Sequence, residues 1–234
     1  SQPIYNNNKN NNKSIINAQF ITAVSSNTTG AHTGFGVNAP FLKYLLTRFN
    51  TSTFSINVTK CLLNFNDTSP YRCSIPWNIQ DSNPERILTI TSILFGECIY
   101  SSCHGIQFTL DTSNDNFLSY DSSDKILSKY FSKNNISQKL GFVFSDENRN
   151  VYTIMFLPNK RANNTDILGE ANIQTLNMYN PSAKNVFGLG FLSNFLLRFD
   201  DSNKNIEIKI TEENENVRIY NNIPSSTSTI THCD

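Results

Sequence analysis

The chain has 234 residues, with 19 Lys and Arg balancing 19 Asp and Glu. Zero net charge argues against nucleic acid or an anionic membrane as the main partner. No run approaches the ~18 apolar residues that would cross a bilayer as a helix. The length suits one large β domain or two smaller ones and permits a sizeable core.

Residues 1–17 contain the polar, Asn-rich run YNNNKNNNKS, which cannot bury enough apolar surface to order itself and is expected to be a disordered lead-in. Ser rather than Met at position 1 is expected to mark either a processed end or an artificial boundary. Residues 18–24 have strand composition. Pro40 to Leu46 predicts a short helix, with Pro in its first turn and Phe41, Tyr44 and Leu45 at helical spacing. Phe54, Ile56 and Val58 alternate with polar residues, which predicts a strand that turns Asn57 outward. Residues 64–84 are rich in Asn, Asp, Ser and Pro and read as loop, with Trp77 as a hydrophobic plug. Ile87–Phe95 predicts a strand, and Cys98–Cys103 a tight loop after it.

Ile106, Phe108 and Leu110 alternate with Gln107, Thr109 and Asp111, a half-buried strand that runs into the turn residues Asp111-Thr112-Ser113-Asn114. A carboxylate at a strand end is either a turn former or a poised acid. Ile126, Leu127, Tyr130 and Phe131 share a helical face, with Asp121 or Ser122 as a cap. Val151–Leu157 reads as a buried strand. Phe195–Phe199 and Ile206–Ile210 are two more strands, joined by a polar turn. Residues 211–234 are expected to form a flexible tail. The count is all-β with a few short helices and no β-α alternation. No P-loop, dinucleotide-binding glycine pattern, HExxH or GxSxG occurs.

Seven N-x-Ser/Thr sequons, at Asn12, Asn27, Asn50, Asn57, Asn66, Asn135 and Asn163, mark candidate glycosylation sites. Together with five cysteines they favour an oxidising lumen: secretion, the cell surface, or a lysosomal or vacuolar compartment. Local pairing gives Cys61–Cys73 and Cys98–Cys103 and leaves Cys233 unpaired or available for an interchain bridge. Cys98, Cys103 and His104 lack a second ligand pair at finger-like spacing, so neither a metal nor another cofactor is expected.

Val186-Phe187-Gly188-Leu189-Gly190-Phe191-Leu192, the strand to Phe199-Asp200, the polar turn and Asn205-Ile206-Glu207-Ile208 resemble the C-terminal signature of pepsin-like aspartic proteases. Phe108-Thr109-Leu110-Asp111-Thr112-Ser113 is similar to that family's second Asp-Thr-Gly loop, and residues 124–131 to the helix after it. The Cys98–Cys103 segment is similar to a small disulfide loop that the family carries just before. Thr33-Gly34-Phe35-Gly36 and the following helix look like the end of the N-terminal lobe. The resemblance spans 18–210 and implies a pepsin-like acid-protease fold, with 18–50 closing the N-terminal lobe and 51–210 forming the C-terminal lobe of a bilobal β architecture.

It also implies Asp111 as one member of a catalytic dyad, with Thr112 and Ser113 beside it. Two departures bear on activity. The first Asp-Thr-Gly loop would precede residue 18 and is missing, and Ser113 stands where the family has Gly, with Asn114 in place of the usual Thr or Ser. The expectation is a secreted glycoprotein on an impaired protease scaffold, acting as a binding or structural component for a peptide or protein ligand. The alternative is the heavy chain of a two-chain acid endopeptidase, with its first Asp on a second polypeptide that carries the rest of the N-terminal lobe. A carbohydrate-binding β-sandwich is a third class, and it does not account for the Gly-Phe-Gly and Gly-Leu-Gly segments.

Overall fold

In a computed structural model of the chain, the described residues are 39–80, 83–112, 114, 116–121, 127–128, 139–146, 148–157, 173–176, 185–211, 216–224 and 228–232. Helix α1 (Pro40–Arg48) opens them, with Pro at its start, where a missing N–H costs nothing. Leu42 and Leu45 form its buried face, while Tyr44, expected on that face, is 58% exposed. The strands follow as β1 (Thr53–Asn57), β2 (Leu62–Phe65), β3 (Cys73–Pro76), β4 (Asn78–Gln80), β5 (Asn83–Phe95), β6 (Cys98–Leu110), β7 (Leu118–Asp121), β8 (Leu140–Ser145), β9 (Val151–Phe156), β10 (Ile173–Leu176) and β11 (Asn185–Phe187). A one-turn helix, α2 (Leu189–Leu192), precedes β12 (Phe195–Asp200), β13 (Asn205–Ile210), β14 (Val217–Tyr220) and β15 (Ser228–His232).

These strands build two sheets. The smaller has the order β2-β1-β12-β13-β3. Its period-two pattern puts Phe54, Leu197, Phe199, Ile206, Ile208 and Ile75 into the core, and Phe54 stacks on its register partner Phe199 at 4.9 Å. The larger sheet runs β10-β7-β11-β6-β5-β8-β9-β14, with β15 added on β6 and β4 on β5. Between the sheets Phe108, Phe142, Phe156, Phe187, Phe191 and Phe195 are all buried and pack ring against ring, closest at Phe187–Phe191, 4.0 Å. Each such ring contributes ~2–3 kcal/mol by burial alone. Arg86, also buried, bonds Asp201 at 2.5 Å and lies over Phe54, Trp77 and Phe199, each centroid 5.0–5.4 Å away. The sequence expectation for Trp77 as a buried plug agrees with its 2% exposure.

Three segments depart from the sequence expectation. Residues 64–84 contain the end of β2, all of β3 and β4 and the start of β5, because Cys73, Ile75 and Trp77 alternate inward beneath polar neighbours. Cys98–Cys103 is not a tight loop but the first part of β6, since the chain reverses earlier, at Gly96 (φ 61) and Glu97. Residues 217–220 and 228–232, expected in a flexible tail, are strands of the larger sheet, paired with β9 and β6. Val217 and Ile219 supply the apolar alternation that the acidic composition conceals. The lead-in 1–17 and the strand expected at 18–24 lie outside the described residues. Of the helix expected near 124–131, Leu127 and Ser128 are described and are helical.

Candidate functional site

The larger sheet places Asp111. Ile106, Phe108 and Thr109 are buried and hold β6 in position; Gln107 is exposed, as the alternation read from sequence has it, whereas Thr109, expected on the same polar face, is buried. A bulge lies just before them: β6 residues between Ser101 and Ile106 pass Thr91 of β5, and Gly105 sits there at φ 72. A Cβ on Gly105 would meet Thr89 Cγ2 at 2.4 Å, so both space and backbone angle require glycine.

The last rung of β6 is followed by the Asp111 N–H donating to Phe187 O at 3.0 Å. The chain then turns, with Asn114 N–H donating to Asp111 O at 3.4 Å, and returns as β7. Strand β11 lies between the two arms, parallel to β6 and antiparallel to β7. The aspartate loop therefore bridges over the end of a strand that arrives from some 70 residues later in the chain. Beyond that strand end, the N–H groups of Gly188, Leu189 and Gly190 donate to Phe117 O (3.2 Å), Asn114 O (2.6 Å) and Asn116 O (3.4 Å). A Cβ on Gly188 would lie 2.2 Å from Asn116 O and 2.4 Å from Asn114 O. The glycine is needed for close approach of two backbones. Its φ of −94° is open to any residue.

Side chains tie the loop from below. Asn114 Nδ2 donates to Ser119 Oγ at 3.0 Å, its Oδ1 accepts Asn116 N–H at 3.0 Å, and Ser119 is fully buried. Asn185, 8% exposed, accepts Asp121 N–H at 2.8 Å and donates to Gln107 O at 3.2 Å, which clamps β6 to β7 through β11. The result is a half-buried carboxylate and an exposed Thr112 at the end of a rigid three-strand unit. Such a group can exchange a proton or accept hydrogen bonds from a ligand at the loop.

No family model and no curated protein matches the sequence. Among solved structures, basic 7S globulin from soybean matches with a TM-score of 0.51 and 16% identity, over 80% of this chain and 59% of the globulin chain. The chain thus spans less than two thirds of that protein's length. That globulin has a pepsin-like aspartic-protease fold.

This chain shares the aspartic-protease fold.

In this protease-like fold, Asp111 and Thr112 sit on the strand end and turn that the resemblance assigned them, and Ser113 lies outside the described residues. Asn114, the departure from the family's hydroxyl residue, uses its amide to bond both the loop backbone and Ser119.

The sequons divide by environment. Asn50 is exposed at a positive φ of 49°. Asn66 is half-buried and its Nδ2 donates to Phe49 O at 3.4 Å. Asn57, expected to point outward, is instead 8% exposed, and its Oδ1 accepts Lys60 N–H at 2.9 Å. Asn12, Asn27, Asn135 and Asn163 lie outside the described residues.

The local disulfide pairings are overturned. Cys61, Cys73 and Cys98 carry thiols, while Cys103 is disulfide-bonded. Cys61 precedes β2 and Cys73 is in β3, the two edges of the smaller sheet, and four strand spacings separate those edges by ~19 Å. Cys98 and Cys103 are five residues apart in one extended strand, ~16 Å. Burial pushes the Cys73 thiol up to about 12. Cys233 lies outside the described residues.

One polar cluster escaped the sequence analysis. Asp67-Thr68-Ser69 repeats the triplet at 111–113, a signal available by inspection. Asp67 accepts Tyr71 OH at 2.7 Å, Ser55 Oγ at 3.0 Å and Ser69 N–H at 2.9 Å. Ser55, Arg198 and Glu207 stand in register across β1, β12 and β13 on the face away from the core. Arg198 bonds Glu207, donates to Asp67 O at 2.7 Å and lies 4.3 Å from the Tyr71 ring centroid. Burial acts to raise the Asp67 pKa, but hydrogen bonds from Ser69, Tyr71 and Ser55 outweigh it and hold it below the usual value. Burial and the Asp67 charge both push Tyr71 up. The Asp67 carboxylate is thus committed to its neighbours, and this second triplet is structural.

Proposed function

We propose that this chain is the rear portion of an aspartic-protease-like scaffold that serves as a binding or structural component of a secreted glycoprotein and does not cleave peptides by itself. The reading rests on one observation: among the described residues the backbone on either side of Asp111 is held by β11 and the turn after it, yet the residue after Asp-Thr is Ser113. In an active site of this type two aspartates share a proton and activate a water between them. A glycine at that position gives the two loops room to meet and leaves its N–H open to the carboxylate. A serine side chain crowds that approach, and glycine-type backbone angles would be costly for it. A scaffold so altered keeps a shaped surface while losing the chemistry, since fold alone does not carry function.

The test is acid proteolysis of a denatured protein substrate between about pH 3 and 6, the range in which a carboxyl pair holds one proton. The purified chain is expected to cleave nothing and to pass through immobilised pepstatin. Cleavage by this chain alone that Asp111→Asn abolishes would refute the proposal, and Asp111-dependent cleavage that appears only when a second polypeptide carrying an Asp-Thr-Gly loop is added would establish the two-chain endopeptidase instead.

A further inference from the structure

Strand register identifies a disulfide partner for Cys103. β15 runs parallel to β6, with Ser228 opposite Cys98 and each pair in step as far as His232 opposite Ser102. In the sequence, Cys103 and Cys233 each follow the last paired residue of their strand by one position. Neighbouring strands are ~4.8 Å apart, inside the ~4.4–6.8 Å range of Cα separations that a disulfide spans. Cys103 is disulfide-bonded, Cys61 and Cys73 carry thiols, and Cys98 stands ~16 Å back along the same strand.

We infer that Cys103 and Cys233 form an intrachain disulfide that locks the last strand onto the strand leading to Asp111. The bond forms by thiol–disulfide exchange with a small-molecule or protein disulfide. The two thiols give up two protons and two electrons, and the oxidant leaves as two thiols. The location matters because, among the described residues, β11 covers β6 at residues 108–110 and no further back. β15 covers the same side of β6 at residues 98–102, a stretch that would otherwise be an open sheet edge. Closing a loop of roughly 130 residues also restricts the unfolded chain. A further consequence is that Cys233 is not available to hold a second polypeptide, so any partner lobe associates without a bridge through that residue.

Peptide mapping tests this on the full-length chain, produced through an oxidising lumen and alkylated before any reductant is added. The expected result is one cross-linked peptide pair containing Cys103 and Cys233, with alkylated Cys61, Cys73 and Cys98. Five alkylated cysteines, Cys103 linked elsewhere, or Cys233 linked to another polypeptide would each overturn the inference. A Cys233→Ser variant provides a second readout. Amide exchange at 228–232 is expected to rise about tenfold or more while that at 217–220 stays unchanged, because local opening follows local restraint. Unchanged exchange at 228–232 would remove the locking role. Neither result depends on whether Asp111 is catalytic.

Discussion

Replacing Gly188 with Ala tests the central structural argument, that the aspartate loop is held by contact between two backbones. Ordinary Cβ contacts begin near 3.4 Å, whereas the new methyl would meet Asn116 O at 2.2 Å and Asn114 O at 2.4 Å. Both are backbone atoms and no side chain can swing away, so the loop has to retreat by ~1 Å, a core-overpacking cost of about 1–3 kcal/mol. These oxygens are also the acceptors for Gly190 N–H at 3.4 Å and Leu189 N–H at 2.6 Å, and a retreat of that size breaks both bonds. At about 1 kcal/mol for each bond, the total comes to ~3–5 kcal/mol. That is a large part of the ~5–15 kcal/mol that stabilises a typical fold.

Chain entropy predicts the opposite sign. Ala fits a φ of −94°, and Gly→Ala at a compatible angle gains ~0.4–1 kcal/mol through the unfolded state. Urea denaturation of Gly188→Ala beside Gly141→Ala separates the two effects. A Cβ at Gly141 meets Leu94 Cβ and the flexible end of Met155, all at 3.2 Å, so its cost should stay within ~1 kcal/mol. If Gly188→Ala is no less stable than Gly141→Ala, the close-approach argument is wrong.

Asp67→Asn should cost about 1–2 kcal/mol at neutral pH through weakened hydrogen bonds. The native pKa of Asp67 is depressed, so its contribution is complete above the unfolded value and fades as pH falls through the native one. The variant should therefore show a flatter loss of stability below about pH 4 in acid titrations followed by circular dichroism, and an unchanged acid limb would contradict this. Asn185→Ala leaves the Gln107 carbonyl and the Asp121 amide without its amide group and should cost about 2–3 kcal/mol in chemical denaturation. A change under ~0.5 kcal/mol, the size of an inconsequential surface substitution, would show that the clamp is dispensable. Arg86→Ala should cost about 3 kcal/mol by breaking the pair with Asp201. Arg86→Met, which keeps an aliphatic stem over the three rings, should cost less, and equal thermal-melt losses would mean that packing contributes nothing.

Local pattern carried much of this protein. The patterns at 106–110, 195–199 and 206–210 specified strands, Pro40 started a helix, and Asp200, whose carboxylate accepts from Ser202 and Asn203, formed the turn its neighbours suggested. The ordered apolar-Gly and Asp-Thr segments were enough to suggest the protease-like fold, because both reflect backbone constraints that local residues must meet. Pairings between distant segments were not legible. The Asn57 side chain turned inward, Cys98 and Cys103 lay along one extended strand, Cys61 and Cys73 fell at opposite sheet edges, and the acidic tail joined the larger sheet. A period of two states that a residue faces one side of a strand, but only the partner strand determines which side is the core and which cysteine lies opposite. The aspartate loop shows the same division. Its residues set the turn, while β11, arriving from far along the chain, supplies the backbone that holds it.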